Sequence, residues 1–220
     1  MALRLYGTAT SWNTLRAHHV ILELGLTDTE LITLSLANGD HQTPEHLARN
    51  PFGKVPVLVD GNLTLFESRA IARYVAQKYR NLAEPLMPDS ADFANIGLFE
   101  VAASVELAHF DRLAEPLVLK HVLARFQKTS VPEDETLTTL KDLKPKLDIL
   151  NGILSRQTFM AGEGFTLVDA FYMPLVYFLF NLGFQDLFLE RSHLKRWWEI
   201  VSERDAWKRA VGPFRQAYGF

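Results

Sequence analysis

The sequence contains no cysteine. That excludes a disulfide framework, a thiolate metal site, a cysteine nucleophile and any dithiol redox reaction of the protein itself. An excess of charge of one sign is also lacking, since 23 Lys and Arg face 26 Asp and Glu for a formal net charge of −3. A nucleic-acid surface needs a basic patch or domain, so no nucleic-acid partner is expected. No apolar run is long enough for a bilayer. The longest, Ala170 to Phe180, lies between Asp169 and Asp186 and reads as a buried helix, so no membrane partner is expected either. The first residues show no apolar stretch of the secretory type, which points to the cytoplasm. What the chain does have is 48% hydrophobic residues, enough to build a core and to argue against disorder.

The chain divides into two halves of different pattern. Residues 1–80 are mixed. Leu3 to Tyr6 alternates like a strand and stops at Gly7, and a helix follows from about Asn13 to Leu24 with Gly25 behind it. Glu30 to Leu36 alternates as a second strand, and a short helical piece follows the polar stretch Asn38 to Thr43. Asn50-Pro51-Phe52-Gly53 has turn composition. Val55 to Val59 and Leu63 to Phe66 are apolar runs around Asp60-Gly61-Asn62, a hairpin signal because those residues tolerate positive φ. A helical pattern returns from Glu67 to Tyr79.

Residues 81–90 carry two prolines and no periodicity, and read as a linker. Residues 91–220 read as helix throughout. Leu137, Leu140, Leu143, Leu147, Leu150 and Leu154 form one stripe at spacings of three and four, with Pro145 predicting a kink or break. Thr166 followed by Asp169 is a helix start in which the hydroxyl and the carboxylate cap each other's backbone; Pro174 should bend the helix it opens. The expected fold is a small α/β domain followed by an all-α domain.

Four segments in order then carry a resemblance: Tyr6-Gly7 with Ser11 and Arg16; Asn50 to Pro56; Leu65 to Ile71; and Phe165 to Ala170. Together they resemble the cytosolic glutathione transferases, most closely the phi-like class of plants and fungi. The resemblance implies a thioredoxin-like N-terminal domain, an all-helical C-terminal domain, glutathione as co-substrate and no metal. It places Val55-Pro56 at the family's cis-proline, where the Val55 N–H and C=O would pair with the cysteinyl backbone of glutathione. It places the γ-glutamyl carboxylate on Ser68 at a helix N-terminus, which suits an anion, and its ammonium near Glu67. His41 and Lys54 are implied for the glycyl carboxylate, with Gln42 standing where many members carry lysine.

The chemistry needs the thiolate. A thiol of ordinary pKa ~8.5 is about 3% ionised at pH 7, and lowering it to ~6.5 gives about 75%. By resemblance the activating hydroxyl is Ser11, just before the first helix; Tyr6, Thr8 and Thr10 are competitors, and Tyr6 stands where other classes place a catalytic tyrosine. Arg16 and Arg69 have a plainer reading, as solvated or structural ion-pairing groups. The second substrate, a hydrophobic small molecule, is expected between the Ser11 loop and the helical domain. Trp12 and Asn13 from the loop, Phe110, Leu113, Leu117 and His121 from one long helix, and Phe178 from a later one are the expected pocket side chains. Besides thiol transfer to an electrophile, the same site serves a glutathione-dependent isomerase or a hydroperoxide peroxidase. A non-catalytic binding module is the alternative of another kind. The family's habit implies a homodimer.

Overall fold

The computed structural model describes residues 3–219. It separates into two compact units, one running to Met87 and resuming at Arg204, the other spanning Pro88–Glu203. The break falls inside the expected linker. The return at Arg204 departs from the sequence reading, which gave everything beyond residue 90 to the helical domain.

In the first unit the elements are β1 (Arg4–Gly7), α1 (Trp12–Glu23), β2 (Glu30–Thr33), a 3₁₀ turn (Asp40–Gln42), α2 (Pro44–Arg49), β3 (Val57–Asp60), β4 (Leu63–Phe66) and α3 (Ser68–Lys78). The sheet order is β2-β1-β3-β4. β1 and β2 are parallel, joined by the α1 crossover that a parallel pair requires. β3 runs antiparallel to β1 and to β4. Asp60 pairs with Leu63, which leaves a two-residue loop, and Gly61 at φ +60 supplies its positive φ.

Two strands differ from the sequence reading. β3 starts at Val57 rather than Val55, because Pro56 has no N–H to give a ladder. β2 ends at Thr33 because the chain then turns: the Asp40 carboxylate accepts from Ser35 N–H at 2.8 Å while Asp40 N–H donates to the Ser35 carbonyl at 3.1 Å. This closure captures the polar stretch that alternation alone would extend as strand.

The last helix, α10 (Asp205–Tyr218), packs against α1 inside this unit. Arg204 grips Glu23 with two of its nitrogens, Nε to Oε1 at 2.8 Å and Nη2 to Oε2 at 2.7 Å. The fully buried His19 bonds Glu23 at 2.9 Å and meets the Trp207 ring edge-on at 5.0 Å. Burial would raise the Glu23 carboxyl, but Arg204 and His19 outweigh it and hold it down to about 2.

The second unit comprises α4 (Phe93–Val105), a π-helical segment (Glu106–Asp111), α5 (Arg112–Gln127), α6 (Glu133–Leu154), α7 (Leu167–Asn181), α8 (Asp186–Leu189) and α9 (Ser192–Val201). α7 is buried at every residue from Leu167 to Leu179, so it forms the centre of the unit. It starts from the Thr166–Asp169 capping box. Asp169 does more than cap, accepting from Met160 N–H at 2.8 Å, Thr166 N–H at 2.9 Å and Trp197 Nε1–H at 2.9 Å. Pro145 does not break α6: the buried leucines 143, 147, 150 and 154 anchor the helix on both sides of it, whereas Leu137 stays exposed. No helix among the described residues is long and apolar enough to cross a membrane.

Candidate active site

Sheet register assembles the site. β1 and β3 pair Arg4 with Val59 and end on Tyr6 with Val57, so the chain leaving β1 and the chain entering β3 meet at the same end of the sheet. β3 and β4 begin their pairing at Val57 with Phe66, so Glu67 and Ser68 leave β4 at that same end. The end of β1, the start of β3 and the end of β4 therefore meet at one edge of the unit. Three segments far apart in sequence, Thr8 to Ser11, Val55-Pro56 and Glu67-Ser68, come together there. The Val55–Pro56 peptide is cis, and Val55 stands outside the ladder that begins at Val57.

Ser11 is the N-cap of α1. Its Oγ accepts from Thr14 N–H at 3.2 Å, and its backbone is extended at φ −117°, ψ 115°. Used as acceptor in the cap, the hydroxyl keeps its own hydrogen for donation outward. The turn before it is closed by bonds from Ser11 N–H to the Thr8 carbonyl (3.2 Å) and from Thr8 N–H to Thr14 Oγ1 (3.3 Å). Thr8 and Thr10 hydroxyls bond each other at 3.2 Å. Gly7 is required for this approach: a Cβ there would lie 2.3 Å from Thr14 Cγ2. Tyr6 is buried with Val57 and Val59, and the Arg49 guanidinium covers its ring at 4.3 Å.

At the start of α3, Ser68 Oγ donates to Asn13 Oδ1 at 3.2 Å and accepts from Arg16 Nη1 at 3.0 Å, while the same guanidinium also bonds Asn13 Oδ1. Asn13 and Arg16 thus tie the N-termini of α1 and α3 together. α1 carries no acid at its N-cap or in its first turn, so the partial positive charge at its start is left unneutralised, whereas α3 has Glu67 as its N-cap, with no capping bond from the side chain. Of the two plainer readings of Arg16 the solvated one falls, since it is fully buried and its charge lies behind Ser68 rather than in solvent. Glu67 adopts φ 70°, ψ 111°, a sparsely populated region for a residue with a Cβ. Strain of this kind, worth roughly 1–3 kcal/mol, concentrates at ligand sites.

Lys54 is exposed and His41 half-buried on the 3₁₀ turn. Gln42 links that turn to the loop before Lys54 by donating to the Gly53 carbonyl at 3.1 Å. His46 Nε2 and Asn50 Nδ2 both bond the Lys54 carbonyl at 2.9 Å, fixing the peptide that leads into Val55. Gln42 therefore serves the loop backbone where a lysine would offer a charge.

The side chains expected to meet the second substrate are drawn from both units and differ in exposure. Phe110, Leu117 and Phe178 lie inside the second unit at 0%, 2% and 0% exposure, with the Phe110 ring tilted against Tyr172 at 4.8 Å. They are core, because helical spacing alone does not separate a core face from a pocket face. Trp12 is buried at 8% in the first unit, and Asn13 faces Ser68 rather than an apolar pocket. Leu113 is half-buried; His121 bonds Thr136 Oγ1 at 3.1 Å and meets Phe184 edge-on, with burial lowering its pKa. Nothing in the residue pattern marks the π-helical segment that carries the buried Glu106 and Asp111. Arg16 was within reach, as a cation five residues after Ser11 and one helical turn after Asn13.

Comparison with known proteins agrees with this geometry. The model of the glutathione S-transferase N-terminal domain matches residues 1–77, and that of the C-terminal domain matches residues 114–205. Glutathione S-transferase F12 of Arabidopsis thaliana is 37% identical over 96% of this chain and 98% of its own length. Among solved structures, glutathione transferase F7 from Populus trichocarpa superposes with a TM-score of 0.91 at 32% identity, covering 97% of this chain and 99% of its own. Glutathione S-transferase I from mais, in complex with an atrazine glutathione conjugate, superposes at 0.89 with 28% identity over 98% and 99%. Matched along nearly its whole length to plant F-type enzymes, and with the sheet edge and helix termini described above, this chain belongs to the glutathione S-transferase family and is a glutathione S-transferase.

Proposed function

We propose that this enzyme holds glutathione at the sheet edge of the first unit and activates its thiol with the Ser11 hydroxyl for attack on a hydrophobic electrophile. The γ-glutamyl carboxylate takes the α3 N-terminus and the Ser68 hydroxyl, whose hydrogen turns to it from Asn13 Oδ1, with the Arg16 charge behind, and the γ-glutamyl ammonium takes Glu67. The cysteinyl backbone pairs with the Val55 N–H and C=O as one further rung beyond the β3 ladder. His41 and Lys54 take the glycyl carboxylate. The sulfur then lies by Ser11, whose outward hydrogen donates to the thiolate beside the α1 N-terminus. A shift from ~8.5 to ~6.5 asks for roughly 2.7 kcal/mol, within reach of one charge-assisted hydrogen bond and a helix dipole. The thiolate forms a carbon–sulfur bond while the electrophile expels a leaving group, or takes up a proton if it is an activated alkene. A relative solved with a glutathione conjugate supports conjugation as the reaction. Exposed Phe52, Phe93, Leu98 and Val101 support a homodimer, which we place in the cytoplasm.

The observation that carries this reading is the capped Ser11, an acceptor toward Thr14 with its hydrogen to spare at the edge where Val55 and Ser68 arrive. Ser11→Ala tests it, with calorimetry for glutathione affinity and a chromogenic aryl halide for turnover. Affinity should stay within about twofold, while turnover near pH 6.5 falls about 50-fold as the thiol returns to its ordinary pKa. Unchanged turnover across pH would overturn the assignment.

A further inference from the structure

The last helix reaches the Ser11 loop. Held at its start by Arg204 on Glu23 and by Trp207 on His19, α10 runs antiparallel to α1, from the end of α1 back to its beginning. There the Tyr218 hydroxyl donates to the Thr10 carbonyl at 2.7 Å. That carbonyl belongs to the peptide whose N–H is that of Ser11, and the N–H in turn donates to the Thr8 carbonyl at 3.2 Å. The Thr10–Ser11 peptide plane is therefore pinned from both sides, by its own turn and by a residue 208 positions away. The orientation of this plane sets φ of Ser11, and with it where the capping Oγ and its free hydrogen point.

We propose that Tyr218 is a positioning residue for the Ser11 hydroxyl: by holding the Thr10 carbonyl it fixes the direction in which Ser11 donates to the glutathione sulfur. The inference rests on Ser11 being the activating group. Tyr218 acts through the peptide it holds. Its ring is 6% exposed, and burial raises the phenol pKa, so the hydroxyl stays protonated and donating across the working range. Without the hydroxyl, the Thr10 carbonyl loses this partner and the peptide can tilt. Ser11 then points its hydrogen over a wider arc, and the thiolate loses part of one hydrogen bond.

Tyr218→Phe keeps the ring and its packing and removes only the donor. The pKa of enzyme-bound glutathione, read from thiolate ultraviolet absorbance, should rise by about 0.7 unit, the equivalent of about 1 kcal/mol of hydrogen bonding. Below that pKa kcat/KM should fall about fivefold, the loss should fade at higher pH where the thiol ionises unaided, and glutathione affinity should change less than twofold. Ser11→Ala is measured alongside. A rise in thiol pKa in Ser11→Ala with none in Tyr218→Phe overturns the positioning role and leaves the Ser11 reading standing. No rise in either overturns both. A lower urea midpoint in Tyr218→Phe with an unaltered pH profile would show that the bond braces only the fold, and would also overturn the proposal.

Discussion

Lowering the pH from 7 to 5 should cost the fold about 2 kcal/mol through His18 alone. The imidazole lies on α1, and its pKa falls from 6.5 to about 4, chiefly through burial and then through the neighbouring His19 and Arg209 of α10. Since the folded-state pKa is the lower one, the unfolded chain binds more protons between pH 6.5 and about 4. Stability present above pH 6.5 is therefore lost as the pH falls through this window. Integrating the proton difference gives about 2 kcal/mol at pH 5 and about 3 kcal/mol at pH 4. His19 is lowered too, mainly by burial, and adds in the same direction. Glu23, held down to about 2, contributes only below its ordinary value near 4.5 and stays out of the pH 7 to 5 interval. The assay is urea unfolding at pH 7, 6 and 5 for the parent and His18→Gln. The parent should lose about 2 kcal/mol more than the variant over this range. Parallel losses would refute a buried, neutral His18 as a source of acid sensitivity.

Two further substitutions probe the frame and the site. Asp169→Ala orphans the buried Met160 N–H and Trp197 Nε1–H and removes the cap on Thr166 N–H. At about 1–3 kcal/mol for each buried donor, stability should fall by about 4 kcal/mol in chemical denaturation. A loss under about 1 kcal/mol would mean that water replaces the carboxylate. Glu67→Gly relieves the positive φ at 70° and should raise stability by about 1 kcal/mol while weakening glutathione binding in calorimetry. A drop in stability would show that Glu67 carries no strain.

Much of the fold is legible in residue pattern. Alternation, glycines and the hairpin dipeptide give the order of strands and helices, because those signals are local. Where side-chain bonds and burial intervene, the pattern misleads. The Leu34–Leu36 end of the expected strand is drawn into a turn by the Asp40 carboxylate, and Pro145 is carried through α6 by leucines buried on either side. Helix periodicity marked Phe110, Leu117 and Phe178 as apolar-facing but could not say which interior they face.

The sequence by itself determined the family, the absence of cysteine chemistry, and the residue types at Ser11, Val55-Pro56 and Glu67-Ser68, because each is a local motif in fixed order. Only the tertiary structure decided that register delivers these three segments to one sheet edge, and that Arg16 is buried behind Ser68. It also decided that α10 returns to α1, where Tyr218 reaches the peptide of Ser11. The physical reason is chain separation. A hydrogen bond between residues 10 and 218 leaves no trace in either neighbourhood, since what selects it is the packing of two helix faces and not the sequence around either end.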